Sequence, residues 1–291
     1  MMLRRQVAEG GGNNYSSRSV TSSNLEARQS FPLPLTSSRS SKMSLQSILL
    51  TGTTGNVGAI LLEHLLEGGT TVNAVLRSFA NSKEFIEQKY PHEVATGKLR
   101  FTEIPDMGVE GVFDAPAKDV SAIIHVATPL SNSDFKAKMI EPAWQIDLNI
   151  LEAANRSSTV KRVIVTGSIV AVMKLPEDLL KDETFNEENY NPVTLEEAVT
   201  NVSSAYQYSK VSSELKAWEY MAKEDRSFDL VLLLAPSITG RSIQQGFKAT
   251  KDGMGGMSSI YKNLFDRDAV GSIFPFVMYA SYIFYVDRIN R

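Results

Sequence analysis

A doubly wound parallel α/β sheet is the architecture this sequence predicts, on three observations. Ile48-Leu49-Leu50-Thr51-Gly52-Thr53-Thr54-Gly55-Asn56-Val57-Gly58 carries an apolar run into three glycines spaced three apart and then into a helical pattern. Apolar runs of strand length alternate with helical stretches from there to about Leu234, the pattern of strands joined by crossover helices. Some of those runs, Val231-Leu232-Leu233-Leu234 among them, are continuously apolar, as strands covered by helices on both faces must be. No internal repeat of fixed period is visible.

The first strand ends at Thr51. Side chains at Gly52, Gly55 and Gly58 would keep a pyrophosphate away from the backbone N–H groups and the helix N-terminus, so the turn through Thr54, Asn56 and Val57 reads as a nucleotide cradle. Ile60, Leu61, Leu62, Leu65 and Leu66 follow at helical spacing until Gly68-Gly69. A phosphate-gripping Walker loop ends in Gly-Lys-Ser or Gly-Lys-Thr. Val57-Gly58-Ala59 has no lysine, which points to a dinucleotide rather than to phosphoryl transfer.

Residues 71–77 read as the second strand and 83–90 as a helix closed by Pro91. Roughly 20 residues past such a turn, an acidic residue takes the ribose 2′-hydroxyl, whereas an arginine accommodates a 2′-phosphate. Here the position holds Arg77, followed by Ser78, with Lys83 further along the helix, so NADP(H) is expected over NAD(H). A solvated arginine at a strand end is the plainer reading of the same residue. The third strand, 98–104, leads into Pro105-Asp106-Met107; 120–127 is the fourth, 135–154 a helix, 160–166 the fifth strand, 204–223 a helix and 228–234 the sixth strand.

Ligands of such sheets sit at the carboxyl ends of the strands. The fourth strand ends in His125-Val126-Ala127-Thr128-Pro129, the fifth in Thr166-Gly167-Ser168 and the sixth in Ala235-Pro236-Ser237. Ser168 thereby brings a hydroxyl to the rim of the crevice, although serine also caps or turns chains at such points. Tyr206 and Lys210, four apart in a helical stretch, share one helix face, and Tyr208 does not. A neighbouring ammonium favours the phenolate form of a tyrosine, which makes the phenol a usable proton donor. In a carbonyl reduction Ser168 would hydrogen-bond the oxygen as negative charge develops, Tyr206 would protonate it, and Lys210 would hold the ribose and tune the tyrosine. A Tyr-x-x-x-Lys spacing alone is common on surface helices. Its place after the glycine turn and Ser168 is what joins the three into a set.

Composition narrows the alternatives. The 291 residues, 43% hydrophobic, suffice for one large domain with a small attached lobe. A net charge of −3 gives no electrostatic footprint for nucleic acid or an anionic membrane. The absence of cysteine excludes disulfides, thiol nucleophiles and thiolate metal sites. His64, His92 and His125 lie far apart, so no metal site is expected. Residues 1–43, with Gly10-Gly11-Gly12, serine pairs, Pro32 and Pro34, are expected to be a disordered Ser/Arg-rich extension. Its five arginines against Glu9 and Glu26 resemble a mitochondrial presequence. Met43, directly ahead of the first strand where a compact domain of this type would start, is the stronger reading, and cytoplasmic location is the expectation, with mitochondrial as the alternative. The apolar run 273–286 is shorter than the roughly 18 residues of a membrane span.

These motifs together resemble the extended short-chain dehydrogenase/reductases. The resemblance is to the branch of fungal methylglyoxal and aldehyde reductases, with plant dihydroflavonol and cinnamoyl-CoA reductases more distant. It runs from about Ser44 to Gly240 and rests on Thr51-Gly52-x-x-Gly55-x-x-Gly58, Arg77-Ser78, Pro105-Asp106-Met107, His125-x-Ala127-Thr128-Pro129, Asn149-Ile150-Leu151-Glu152-Ala153-Ala154, Ser168, Tyr206 with Lys210, and Pro236. The phrase from Phe185-Asn186-Glu187-Glu188 to Asn191-Pro192-Val193-Thr194-Leu195-Glu196-Glu197-Ala198 is particularly like the fungal branch. The resemblance implies a Rossmann-type NADP-binding domain at 44–236 and a partial substrate-binding lobe at 237–291, in a monomer or homodimer. It implies NADPH-dependent reduction of a small-molecule aldehyde or ketone, with Ser168, Tyr206 and Lys210 catalytic. Asp106 would lie near the adenine, with the backbone of Ala127, Thr128 and Pro236 along the cofactor.

Three departures stand out. Gly167 replaces a frequent serine, and Ile146-Asp147 stands where a Gly-Thr pair is common. Residues 274–287 resemble a strand after which relatives continue, so a truncated gene model or splice form is expected. Two other functions share parts of the pattern. A hydroxysteroid dehydrogenase or sugar-nucleotide epimerase uses the same triad but is disfavoured by Arg77, and a silent NADPH-binding regulator is disfavoured by Tyr206 and Lys210. The substrate's identity is not encoded in any fixed signal of 169–202 or 237–275.

Overall fold

The computed structural model describes residues 2–6, 46–223, 226–247 and 277–279. The core alternates strand and helix: β2 (Ser47–Thr51), α1 (Asn56–Glu67), β3 (Thr71–Leu76), α2 (Phe79–Lys89), α3 (Pro91–Ala95), β4 (Leu99–Glu103), β5 (Ala122–His125), α4 (Glu141–Arg156), β6 (Arg162–Ser168), α5 (Leu195–Ala198), α6 (Val202–Ala222) and β7 (Asp229–Ala235). Two short strands follow, β8 (Ser237–Thr239) and β9 (Val277–Tyr279), paired in parallel, and β1 (Met2–Gln6) precedes.

The sheet order is β1-β7-β6-β5-β2-β3-β4. From β4 to β7 every pairing is parallel, and the winding direction reverses between β2 and β5, where Thr51 lies opposite His125. The reversal parts the crossover connections to either side and opens a crevice at the carboxyl ends of those two strands. This is the doubly wound Rossmann-type arrangement that the sequence predicts.

Both faces of the sheet are buried, for a reason legible in β2. Successive side chains of a strand point to opposite faces, so Leu49 joins a cluster with Ile123, Ile150, Leu151, Val163 and Leu232, while Ile48 and Leu50 join Leu61, Leu62, Val72 and Ile124. A strand that alternated apolar with polar residues would leave one of these clusters without its central layer. Removing a side chain such as Leu49, fully buried, costs about 2–5 kcal/mol through lost transfer energy and the cavity left behind. At the opposite end of the sheet from the crevice, Arg162 holds Asp229 with two 2.7 Å bonds, tying the starts of β6 and β7.

The elements depart from the sequence reading in several places: the fourth strand spans only Ala122–His125 of the expected 120–127, and the helix expected over 135–154 is wound as a π-helix over Lys136–Ile140 before α4, which runs on to Arg156. β1, within the extension expected to be disordered, pairs antiparallel with Leu230–Leu234 and occupies the outer edge of β7, whose main-chain groups need partners. The rest of 1–43 lies outside the described residues. α2 begins at Phe79, four residues ahead of the expected start, because the Glu103 carboxylate accepts the Phe79 amide at 2.6 Å from across the chain. Pro91 opens α3 rather than closing a helix, since its missing N–H is no loss in a first turn. β6 continues to Ser168, two residues past the expected end. Most of the lobe expected at 237–291, including the greater part of the 274–287 strand, lies outside the described residues. Among the described residues, no helix is long and apolar enough to cross a membrane, and no cluster of His, Asp and Glu could hold a metal ion.

Candidate cofactor and catalytic site

The glycine turn joins β2 to α1 at the crevice. Gly52 has φ +75°, in the left-handed region, and a Cβ there would meet the Ala127 amide nitrogen at 2.8 Å. Gly58 is tighter: its Cβ would lie 2.0 Å from the Gly52 carbonyl oxygen. Gly55 is merely close, 3.3 Å from that oxygen, and its own amide donates to it at 3.0 Å. α1 starts at Asn56 with no side-chain cap among the described residues, so the first amides of the helix are left for a ligand. Thr54 and Gly55 are exposed at the turn, and the buried Asn56 Oδ1 has no partner among the described residues. Val57 packs its side chain toward Val231 and Leu233, leaving its backbone to face the turn. An anionic, hydroxyl-bearing group such as a dinucleotide fits this cradle: the amides suit its phosphates, and Asn56 Oδ1 is an open acceptor for a hydroxyl.

At the neighbouring corner, Arg77 is exposed just past the end of β3 and makes no ion pair among the described residues. Lys83 is engaged otherwise: its ammonium lies 3.3 Å from Glu87 and over the rings of Phe79 and Phe101. Glu103, whose strand neighbour is Leu76, brings a carboxylate to the same corner, a feature the sequence reading lacked. Asp106 folds back on its own chain, accepting the Gly108 amide at 2.8 Å.

The catalytic candidates converge from three elements. Lys210, on α6, donates from Nζ to Thr128 Oγ1 at 2.9 Å and to the Thr166 carbonyl at 3.3 Å, and its ammonium lies 5.8 Å from the centroid of the Tyr206 ring. It therefore spans the ends of β5 and β6 and shares a helix face with Tyr206. Ser168, two residues beyond Thr166 on β6, is buried; its Oγ accepts a long 3.4 Å bond from the Val170 amide and donates none among the described residues. The Thr166 hydroxyl is buried and has no partner among the described residues. Pro236 follows β7, half-buried, one strand further along the same rim.

Behind the rim lies a support that the sequence reading missed. The Asn191 side-chain amide donates to the carbonyls of Val170 and Met173 and to Gln207 Oε1, and Gln207 holds both the amide and the carbonyl of Leu175. The segment after Ser168 is thus bound to α6 one residue from Tyr206. Deeper, Thr51, His125 and Asp147 form a buried polar row beneath Ala127. The signal for both was buried polar residue types at strand ends and in the middle of apolar helix faces, which becomes readable only when the partners are known.

The fold and its cradle define a dinucleotide-binding protein of the Rossmann class. The chain belongs to the NAD dependent epimerase/dehydratase family, whose model matches residues 48–252. It is 32% identical over 250 residues to an uncharacterised oxidoreductase of Schizosaccharomyces pombe, covering 84% of this chain and 71% of that one. It is 34% identical over 205 residues to a ketoreductase of Cercospora beticola, covering 67% of this chain and 57% of the relative. An anthocyanidin reductase of Arabidopsis thaliana is 34% identical over 194 residues, covering 66% and 55%. The chain thus spans little more than half the length of these last two relatives. In structure it resembles yeast methylglyoxal/isovaleraldehyde reductase complexed with NADPH, with a TM-score of 0.73 at 22% identity, covering 81% of this chain and 71% of that one.

Proposed function

We propose that the chain binds NADP(H) and reduces the carbonyl group of a small aldehyde or ketone, with Ser168, Tyr206 and Lys210 as its catalytic residues. Related chains named ketoreductase, aldehyde reductase and NADPH-dependent methylglyoxal reductase support the reaction class. The observation that carries the residue assignment is the placement of Lys210, anchored to Thr128 and Thr166 with Tyr206 one helical turn before it. Bound NADPH supplies a hydride to the carbonyl carbon. The Ser168 hydroxyl, with its proton uncommitted, donates to the carbonyl oxygen as that atom gains negative charge. Tyr206 then gives the oxygen its proton. The ammonium of Lys210 stabilises the phenolate left behind, and its remaining N–H serves a ribose hydroxyl.

The cradle of Gly52, Thr54, Gly55, Asn56, Val57 and Gly58 receives the pyrophosphate, Ala127, Thr128 and Pro236 line the nicotinamide side, and Asp106 stands at the adenine end. Arg77, free of an ion pair among the described residues, receives the 2′-phosphate, with Lys83 contributing charge from α2. Residues 44–236 make up the cofactor domain, and the β8–β9 pair begins the substrate lobe assigned to 237–291. The test is Tyr206→Phe. NADPH oxidation with methylglyoxal and with aryl ketones should fall by about 10²–10⁴-fold while NADPH binding, followed by its fluorescence, stays within a factor of about two of wild type. Turnover close to wild type would refute the role of Tyr206.

A further inference from the structure

Asp147 is a carboxylate where an α-helix faces the sheet, and nothing in the proposed reaction uses it. It sits on α4 with its side chain 12% exposed, and Oδ1 lies 3.4 Å from Nε2 of His125, itself 5% exposed on β5. The other ring nitrogen, Nδ1, is 2.7 Å from Thr51 Oγ1 on β2. Thr51 Oγ1 in turn accepts the Val126 amide at 3.2 Å and, more weakly, the Ala127 amide at 3.4 Å.

Counting donors fixes the direction of this row. A hydroxyl has one proton and two acceptor sites. With the two amides on the acceptor sites of Thr51, its proton is left for His125 Nδ1, a pairing that requires the ring proton to be kept on the other nitrogen. The imidazole proton then resides on Nε2 and faces Asp147. The row runs from α4 through β5 to β2 and ends on the two peptides just before Thr128, the residue that receives Lys210. The Ala127 peptide is also the one against which the Gly52 turn packs without room for a Cβ.

We infer that Asp147 is a positioning residue: by holding the tautomer of His125, it makes Thr51 an obligatory acceptor for the Val126 and Ala127 amides and so sets the floor of the cofactor crevice. Two features favour this over a merely space-filling role. The row reaches from a helix to a rim peptide, through a 3.4 Å contact between Asp147 and His125 and a 2.7 Å hydrogen bond between His125 and Thr51, and each of its three members is at least nine-tenths buried as a whole residue, so none is held there by solvent. Lys210, on α6, is the charged group that bears on both Asp147 and His125, and the Ser213 hydroxyl of the same helix faces Asp147.

The inference rests on the reading of the crevice as a cofactor site, and the experiment separates the two. Asp147→Asn keeps an acceptor oxygen toward Nε2, Asp147→Leu removes it, and Thr51→Val removes the hub while preserving shape. Nitrogen-15 NMR of the imidazoles reads the tautomer of His125, amide hydrogen exchange reads Val126 and Ala127, and fluorescence titration reads NADPH affinity. The expected result is an Nε2–H tautomer in the wild type and the Asn variant. Asp147→Leu should lose the single tautomer, and both it and Thr51→Val should speed exchange at Val126 and Ala127 about tenfold or more and weaken NADPH by a similar factor. The Asn variant should stay within about threefold of wild type. An Nδ1–H tautomer in the wild type, or unchanged exchange in a folded Asp147→Leu or Thr51→Val, would overturn the inference. A wild type that shows the expected tautomer and protection but binds no NADPH would leave the row in place and sink the function instead.

Discussion

Replacing Gly58 with alanine is the sharpest perturbation of the cradle. The new methyl would lie 2.0 Å from the Gly52 carbonyl oxygen, 2.5 Å from its carbon and 3.0 Å from the Thr53 nitrogen, all backbone atoms. Real Cβ atoms essentially never come within 3.0 Å of such neighbours, so the start of α1 must move from the turn by about 1 Å or more. A shift of that size in a positioned site can cost about 10²-fold in function, and overpacking of a tight contact typically costs about 1–3 kcal/mol of stability. Gly55→Ala is the internal control, because its methyl meets only the Gly52 oxygen at 3.3 Å, a distance that a few tenths of an ångström relieve. The assay is a fluorescence titration of both variants with NADPH, beside their urea denaturation curves. Gly58→Ala should lose at least about tenfold in affinity and Gly55→Ala only a few-fold. Equal affinities for the two variants would mean that the contact between α1 and the turn is not what shapes the cradle, and the geometric argument would fail.

Glu103→Gln removes a negative charge from the corner of Arg77, so it should tighten NADPH several-fold and leave NADH nearly unchanged. Parallel titrations decide, and equal responses would place the 2′-phosphate elsewhere. Asp229→Ala removes the two-bond carboxylate that Arg162 holds at the starts of β6 and β7, and it should cost about 1.5–3 kcal/mol in chemical denaturation. The buried pair makes a pH prediction with opposing signs. Burial holds His125 down at about 3 from its ordinary 6.5, so the unfolded chain takes up that proton first and stability falls as pH drops below 6.5. Burial raises Asp147 to about 6 from 3.8, against the opposing field of Lys210, so the folded chain takes up that proton first and stability rises as pH drops through 6. The two nearly cancel between about pH 4 and 6. His125→Gln leaves Asp147 without its titrating partner, and between about pH 7 and 4.5 the variant should gain stability relative to wild type, on the order of a few kcal/mol. Urea denaturation at the two pH values measures it, and parallel pH dependences would show that His125 is not held neutral.

What the sequence made legible was local. The glycine turn, the run of apolar strands and the Tyr206–Lys210 spacing each lie within one element or one turn, where period and residue type suffice. The start of α2 was not legible, because the carboxylate that caps it comes from Glu103, 24 positions away. The row beneath Ala127 was closed to sequence reasoning for the same cause: Thr51 and His125 are 74 positions apart and meet only because β2 and β5 are neighbours in the sheet. Asp147 was visible as a departure from a pattern, but its role depends on what α4 faces. The Asn191 and Gln207 side chains likewise take their meaning from the loop between β6 and α5, which no periodicity describes.

The close approach of Gly52 to the Ala127 peptide has a mechanical consequence. The glycine turn is braced by the segment that follows the adjoining strand, two chain segments leaving neighbouring strands of the sheet and pressed together without a side chain between them. Such a joint has little compliance. A change of sequence in the exposed segments around the crevice can therefore alter its mouth while the closely packed base of the turn keeps its shape.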